Sequence, residues 1–182
     1  AAKSAVSVLD EENGTEVETE YQMNLKYGSI TVYIGADDKQ YVQQGNNEAQ
    51  QRGNLSITTD GSQTHNTITI KGGTTAAKVT LSNVNIDAPG AAVSVSGNVE
   101  LVIADTNTLQ SGWGHAGVEK ADDNGTLTIS GSGELNAYGG YWGAGIGSGS
   151  EKGCSNIVIE SGTITAKGGD LGAGIGGGQL AA

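Results

Sequence analysis

The C-terminal part of the chain is two near-copies of one segment. Residues 125–149 read GTLTISGSGELNAYGGYWGAGIGSG and residues 155–178 read SNIVIESGTITAKGGDLGAGIGGG, with Gly139/Gly168, Ala144/Ala173 and Ile146/Ile175 each 29 residues apart. An internal period of about 20–50 residues carried by strand-like segments confines a chain to architectures in which one supersecondary unit stacks on the next. Each copy holds three pairs of inward apolar residues at i,i+2, the period of a strand. In the last unit these are Ile157/Ile159, Ile164/Ala166 and Ala173/Ile175. In the unit before they are Leu127/Ile129, Leu135/Ala137 and Ala144/Ile146. Glycine-rich corners separate the pairs, at Gly131–Ser132–Gly133 and Gly139–Gly140 in one copy and at Ser161–Gly162 and Gly168–Gly169 in the other. Three short strands and three corners per turn of chain predict an all-β fold, a right-handed parallel β-helix.

The pattern continues upstream in weaker form. Leu101/Ile103, Leu109 and Ala116/Val118 make one earlier coil, and Val79/Leu81, Val84/Ile86 and Val93/Val95 another. Val93, Val118, Ile146 and Ile175 follow at steps of 25, 28 and 29 residues, so corners vary in length while strands hold. Before residue 75 only SITVYI (29–34), NLSITT (54–59) and NTITIK (66–71) alternate cleanly. The polar stretch QYVQQGNNEAQQRGN (40–54) reads as a corner loop or as the edge of a capping layer. An open solenoid end exposes apolar side chains and unpaired strand edges, which makes a cap necessary. The expected organisation is an N-terminal extension or capping segment at 1–28, the β-helix at 29–178 and a tail at 179–182. The opening AAKSAV lacks Met, as a processed or excised chain would. The closing GGGQLAA has no cap-like element, so end-to-end packing or a neighbouring domain is expected at the last coil.

Composition agrees with a thin core. There are 31 glycines against one proline and no Phe, and no collagen period, so the glycines mark turns and close backbone approaches. A coil needs only one or two small apolar side chains per strand, which Ile, Val, Leu and Ala supply. In GAGIG, Ala and Ile point inward, and the glycines between them are expected to leave a flat, bare outer strip, either merely permissive or a surface on which a neighbouring domain, a second chain or a polymer packs. Outward threonines, such as Thr126, Thr128, Thr163 and Thr165, suit strands. Their rows break at Val158 and Asn136, unlike a strict ice-binding array.

The net charge of −11, from 9 basic and 20 acidic residues, argues against nucleic acid as a partner. No run of eighteen apolar residues is present, so no membrane insertion by a helix is expected. The lone Cys154 excludes an internal disulfide and a cysteine-based metal centre. Enzymes of this fold set Asp clusters, or Lys and Arg with calcium, on one exposed sheet. The corresponding places here carry mostly Gly, Ser, Thr and Asn, and the reading is a protein that is not an enzyme, with no catalytic residues and no cofactor. The candidate ligand-binding residues are Trp113, His115, Tyr138, Tyr141 and Trp142. The two tryptophans, one coil apart at the start of third strands, are expected to stack as a ladder about 5 Å apart, and exposed aromatic rings in a row stack on sugar rings. Glu119, Asp122 and Asp123, in EKADDNG, form an acidic corner of the kind that holds Ca²⁺ through oxygen ligands.

The wording of the repeats resembles a repeat-rich family of surface proteins of anaerobic Gram-positive bacteria. The phrases that carry the resemblance are TNTLQSG (106–112), AGVEK (116–120), TLTISGSGELNAYGG (126–140) and GAGIGGG (172–178), and it spans residues 28–178. Some members are described as carbohydrate-binding domains with a right-handed parallel β-helix and are associated with polysaccharide and calcium binding. The resemblance implies a secreted or cell-surface binding or adhesion module that recognises a glycan or a host protein. The alternative is a structural stalk or spacer within a larger surface protein.

Overall fold

The computed structural model describes residues 8–9, 16–17, 20–120 and 124–180. At the N-terminus, β1 (Val8–Leu9) and β2 (Glu16–Val17) pair antiparallel as a separate two-stranded sheet. The remainder of residues 1–19 lies outside the described residues, as do Ala121–Asp123 and the last two residues.

From Tyr21 the chain winds coil upon coil. The first coil comprises β3 (Tyr21–Asn24), a short 3-10 turn (Leu25–Tyr27) and β4 (Ile30–Ile34). It is followed by β5 (Gln40–Gln44) and β6 (Gln50–Gln51). The second coil holds β7 (Leu55–Thr58) and β8 (Ile68–Lys71). Thereafter every coil has three strands: β9 (Ala77–Ser82), β10 (Asn85–Asp87) and β11 (Val93–Ser96); β12 (Val99–Ala104), β13 (Thr106–Gln110) and β14 (Val118–Lys120); β15 (Leu127–Gly131), β16 (Glu134–Tyr138) and β17 (Ile146–Gly147); β18 (Ile157–Ile159), β19 (Thr163–Lys167) and β20 (Ile175–Gly176). Equivalent strands stack into three sheets, ordered β3-β7-β9-β12-β15-β18, β10-β13-β16-β19 and β6-β5-β4-β8-β11-β14-β17-β20. The pairs between successive coils are all parallel, and parallel crossovers in one sheet are right-handed. The fold is a right-handed parallel β-helix.

The register follows the apolar columns of the sequence. Val93, Val118, Ile146 and Ile175 are consecutive partners in the third sheet. Leu81 and Ile103 pair in the first, and Leu109 and Ala137 in the second. These side chains fill the axis of the solenoid, and almost all are fully buried. Burial of one such Leu, Ile or Val contributes about 1.5–3 kcal/mol, so each coil depends on the coils above and below it.

The cap is a hairpin. β5 pairs antiparallel with β4 and β6 pairs antiparallel with β5, which turns the polar stretch 40–54 into the edge of the third sheet. Gln40 fastens it to the coils: its buried amide donates to Arg52 O at 2.9 Å and to Lys78 O at 3.0 Å, and accepts from Lys78 N at 2.7 Å. The ladder reaches back to Tyr21 through the β3–β7 pair, ahead of the expected start at residue 29.

One expectation is overturned. The glycines of GAGIG do not form a bare outer strip, because Gly143, Gly145 and Gly147 are buried. A Cβ on Gly143 would lie 1.9 Å from His115 O, and one on Gly145 would lie 2.5 Å from Lys167 N. Backbone packs directly on backbone at this corner, and only glycine leaves the room. The other end is open: Ile157, Ile159, Ile164 and Ile175 stand partly exposed in the last coil, whereas their partners Leu127, Ile129, Leu135 and Ile146 are fully buried.

Candidate binding site

The candidate residues gather at the corner between the second and third sheets. After β13 the chain runs through Ser111, Gly112, Trp113, Gly114 and His115 before β14. After β16 it runs through Gly139, Gly140, Tyr141, Trp142 and Gly143 before β17. Backbone hydrogen bonds set the register: Gly114 N donates to Tyr141 O at 2.8 Å and Trp142 N to Asp170 O at 3.1 Å. Trp113 therefore shares a column with Tyr141 and Asp170, and Trp142 shares one with Gly114 and Leu171. This corrects the expected ladder. The tryptophans sit in corners rather than at strand starts and lie diagonally, in adjacent columns. Their rings still meet, with centroids 4.9 Å apart and planes at 43°. Tyr141 joins them, 5.2 Å from Trp142.

The column of Gly114, Trp142 and Leu171 has positive φ throughout, at 77°, 70° and 67°. That conformation costs an L-residue about 1–2 kcal/mol. Trp142 is half-buried, and its buried Nε1 has no hydrogen-bond partner. Trp113 is 65 % exposed and Tyr141 46 %. The result is a contiguous aromatic surface, with Trp142 beneath and two exposed rings around it.

His115 and Glu119 form a pair at the same corner. His115 Nδ1 lies 2.9 Å from Glu119 Oε2, and the same oxygen accepts from Ala116 N at 3.1 Å. Glu119 is only 9 % exposed. Its carboxylate holds the start of the strand and the imidazole in place. Asp122 and Asp123 lie outside the described residues. Among the described residues no group of three or more His, Cys, Asp or Glu is arranged to hold a metal ion.

Tyr138 stands on a different column, the outward row Asp87–Gln110–Tyr138–Lys167 at the end of the second sheet. An isolated bridge between Thr64 and Ile86 extends that row to His65. Two recesses follow the row. One, of about 640 Å³, lies over His65, Asp87, Gln110 and Gly112. The other, of about 310 Å³, lies over Gln110, Tyr138, Lys167 and Asp170. Sequence reasoning found Tyr138 but missed Asp87, Gln110 and Lys167. Their signal was present in the i,i+1 offset from the inward Ile86, Leu109 and Ala166.

A family model described as a beta helix repeat matches residues 127–150 and 157–179, the two coils that span β15–β17 and β18–β20. The chain thus carries beta-helix repeats and has the architecture they define. No curated protein and no solved structure matches it significantly. No helix among the described residues is long and apolar enough to cross a membrane.

Proposed function

We propose that the protein is a non-enzymatic, extracellular binding or adhesion module that recognises a glycan through the aromatic corner. The observation that carries this reading is the contiguous set of rings at Trp113, Trp142 and Tyr141, with two of them open to solvent beside a recess. Aromatic faces offer the apolar surface and π-density against which the C–H faces of a pyranose ring pack. Trp142 also carries a buried N–H without a partner, which costs about 1–3 kcal/mol.

His115, oriented by Glu119, borders the rings and supplies its second ring nitrogen to a sugar hydroxyl. A glycan on a bacterial or host surface suits the acidic chain, which repels polyanions. A host protein would dock on the same rings as a hot spot. A second reading, a stalk or spacer in a longer surface protein, is favoured by the open last coil, where a neighbouring domain or further coil would complete the stack.

The test is a glycan array probed with the wild type and with the W113A/W142A double variant. The expected result is glycan capture by the wild type and its loss in the variant, with the far-UV circular dichroism unchanged. Equal capture by both proteins would remove the aromatic platform from the account and leave the stalk reading.

A further inference from the structure

We infer that the ligand of this corner is an extended, uncharged, β-linked pyranose chain that lies parallel to the solenoid axis, with about one sugar unit per coil. The inference rests on the glycan-binding reading above and extends it to residues outside the aromatic cluster. His65, Asp87, Gln110, Tyr138 and Lys167 occupy one outward column, one residue from each successive coil. The two recesses meet at Gln110 and so lie one after the other along that column. Successive strands lie about 4.8 Å apart, so the five positions span about 19 Å. An extended β-linked pyranose chain advances by one ring and one glycosidic oxygen per unit, a step comparable to the spacing of the strands. Each polar group of the column thus falls within reach of one sugar unit.

The floor and the second wall fit such an occupant. Gly112, Gly140 and Gly169 carry no side chain, and each packs against the corner of the preceding coil: a Cβ would lie 1.9 Å from Pro89 O at Gly112, 1.8 Å from Gly112 O at Gly140 and 2.1 Å from Gly140 O at Gly169. Gly112 and Gly169 thus bring fixed backbone into the lining, beside Ala88, Pro89 and Ser111 in the larger recess. Asp170 lines the recess beside Lys167 and belongs to the same column as Trp113 and Tyr141, which places the exposed rings on the rim. Along the groove, Asp87 and Asp170 stand against the single ammonium of Lys167. With a chain of net charge −11, this arrangement disfavours a polyuronate and leaves hydroxyl-bearing, neutral sugars as the matching chemistry.

The experiment is calorimetric titration of the whole chain with β-1,4-linked gluco- and manno-oligosaccharides of one to six units, and with polygalacturonate. At least one neutral series is expected to tighten with each added unit up to about four or five and then level off, as the 19 Å groove fills. The variants Q110A and K167A are expected to weaken the longer oligosaccharides by roughly two- to tenfold each, the loss of one hydrogen bond. They leave the mono- and disaccharide unchanged, because these are held at the rings. Affinity independent of length, with binding still lost in W113A/W142A, would overturn the axial groove and leave the aromatic site standing. Polygalacturonate bound as tightly as the neutral series would also overturn it. No binding by any of these oligosaccharides would overturn the axial groove, and the glycan array then decides the aromatic site separately.

Discussion

Asn107 shows how a single polar residue is accommodated in an apolar column. Its partners in the next coils are Leu135 and Ile164, yet it is fully buried. Its side chain replaces bulk with hydrogen bonds: Nδ2 donates to Ala104 O at 2.8 Å and to Leu81 O at 3.3 Å, and Oδ1 accepts from Val84 N at 3.0 Å. The amide thus satisfies the backbone of a corner that strands leave unpaired. The substitution Asn107→Leu restores the apolar column but leaves the Val84 N–H buried and alone. It is expected to destabilise the fold by about 1–3 kcal/mol, read as a lower urea midpoint with an unchanged slope. A midpoint equal to the wild type would mean that apolar packing, not the hydrogen bonds, decides this position. Lys120 is a second such case, fully buried on the column of Val95 with its amine donating to Asn124 O at 3.3 Å. Neither residue is recognisable as core from its type.

At the level of elements, the β4–β5 hairpin closes the N-terminal end, and a side-chain hydrogen bond ties its turn beside the backbone bonds from Gly35 N to Lys39 O and from Asp38 N to Gly35 O. Tyr41 Oη donates to Asp37 Oδ2 at 2.9 Å, and the Tyr33 and Tyr41 rings stack with centroids 5.6 Å apart. The Tyr41 hydroxyl holds the Asp37 carboxyl below the usual carboxylate range, helped by the Lys39 N–H. The same bond pushes the Tyr41 phenol up. A carboxyl lowered by folding contributes stability above its unfolded pKa, about 4, and loses it as pH falls through the folded value. A phenol raised by folding contributes below about pH 10 and loses it as pH rises through the folded value. The turn is thus fully tied between those limits. In Tyr41→Phe, Asp37 is expected to titrate upward, toward the ordinary range, in a carboxyl-detected NMR titration. An unmoved midpoint would mean that the Lys39 N–H, not the phenol, holds the charge.

The hairpin also marks where sequence patterning stops being informative. The three-strand coils were legible from Val79 onward, because each inward position recurs with apolar side chains at strand spacing. The cap was legible only as one of two alternatives for residues 40–54, a corner loop or the edge of a capping layer, because antiparallel pairing on an edge requires no periodic partner. At the candidate site, the aromatic residues were visible as types. Their diagonal contact follows from spacing: Gln110/Tyr138 and Val118/Ile146 recur at 28 residues, whereas the tryptophans are 29 apart, so Trp142 falls one position past the column of Trp113. The buried glycines of GAGIG were misleading. Alternation shows which residues face outward, but not that the neighbouring coil folds over them.

For the whole molecule, stability in a solenoid is approximately a sum of coil terms and nearest-neighbour interface terms. Among the described residues the interior coils have two interfaces, whereas the coil of β18, β19 and β20 has one. Ile175 is 50 % exposed there, against full burial of Ile146 in the coil before. Amide exchange should accordingly be slowest through β9–β16 and fastest in β18–β20, since local opening of the last coil breaks only one interface. The same logic gives a constructive test. Inserting a second copy of residues 150–178 after Gly178 repeats the 29-residue step that separates Ile146 from Ile175, and so sets a new Ile over each exposed one. The added coil is expected to raise the thermal midpoint and to slow exchange in β18–β20 toward the rates of β15–β17, while the new terminal coil takes over the fast exchange. If β18–β20 exchanged as before, the repeat would not be transmitting register from coil to coil, and the nearest-neighbour account of this fold would fail. If protection moved outward by one coil, the open end would be established as an interface that one further repeat satisfies, whichever chain supplies it.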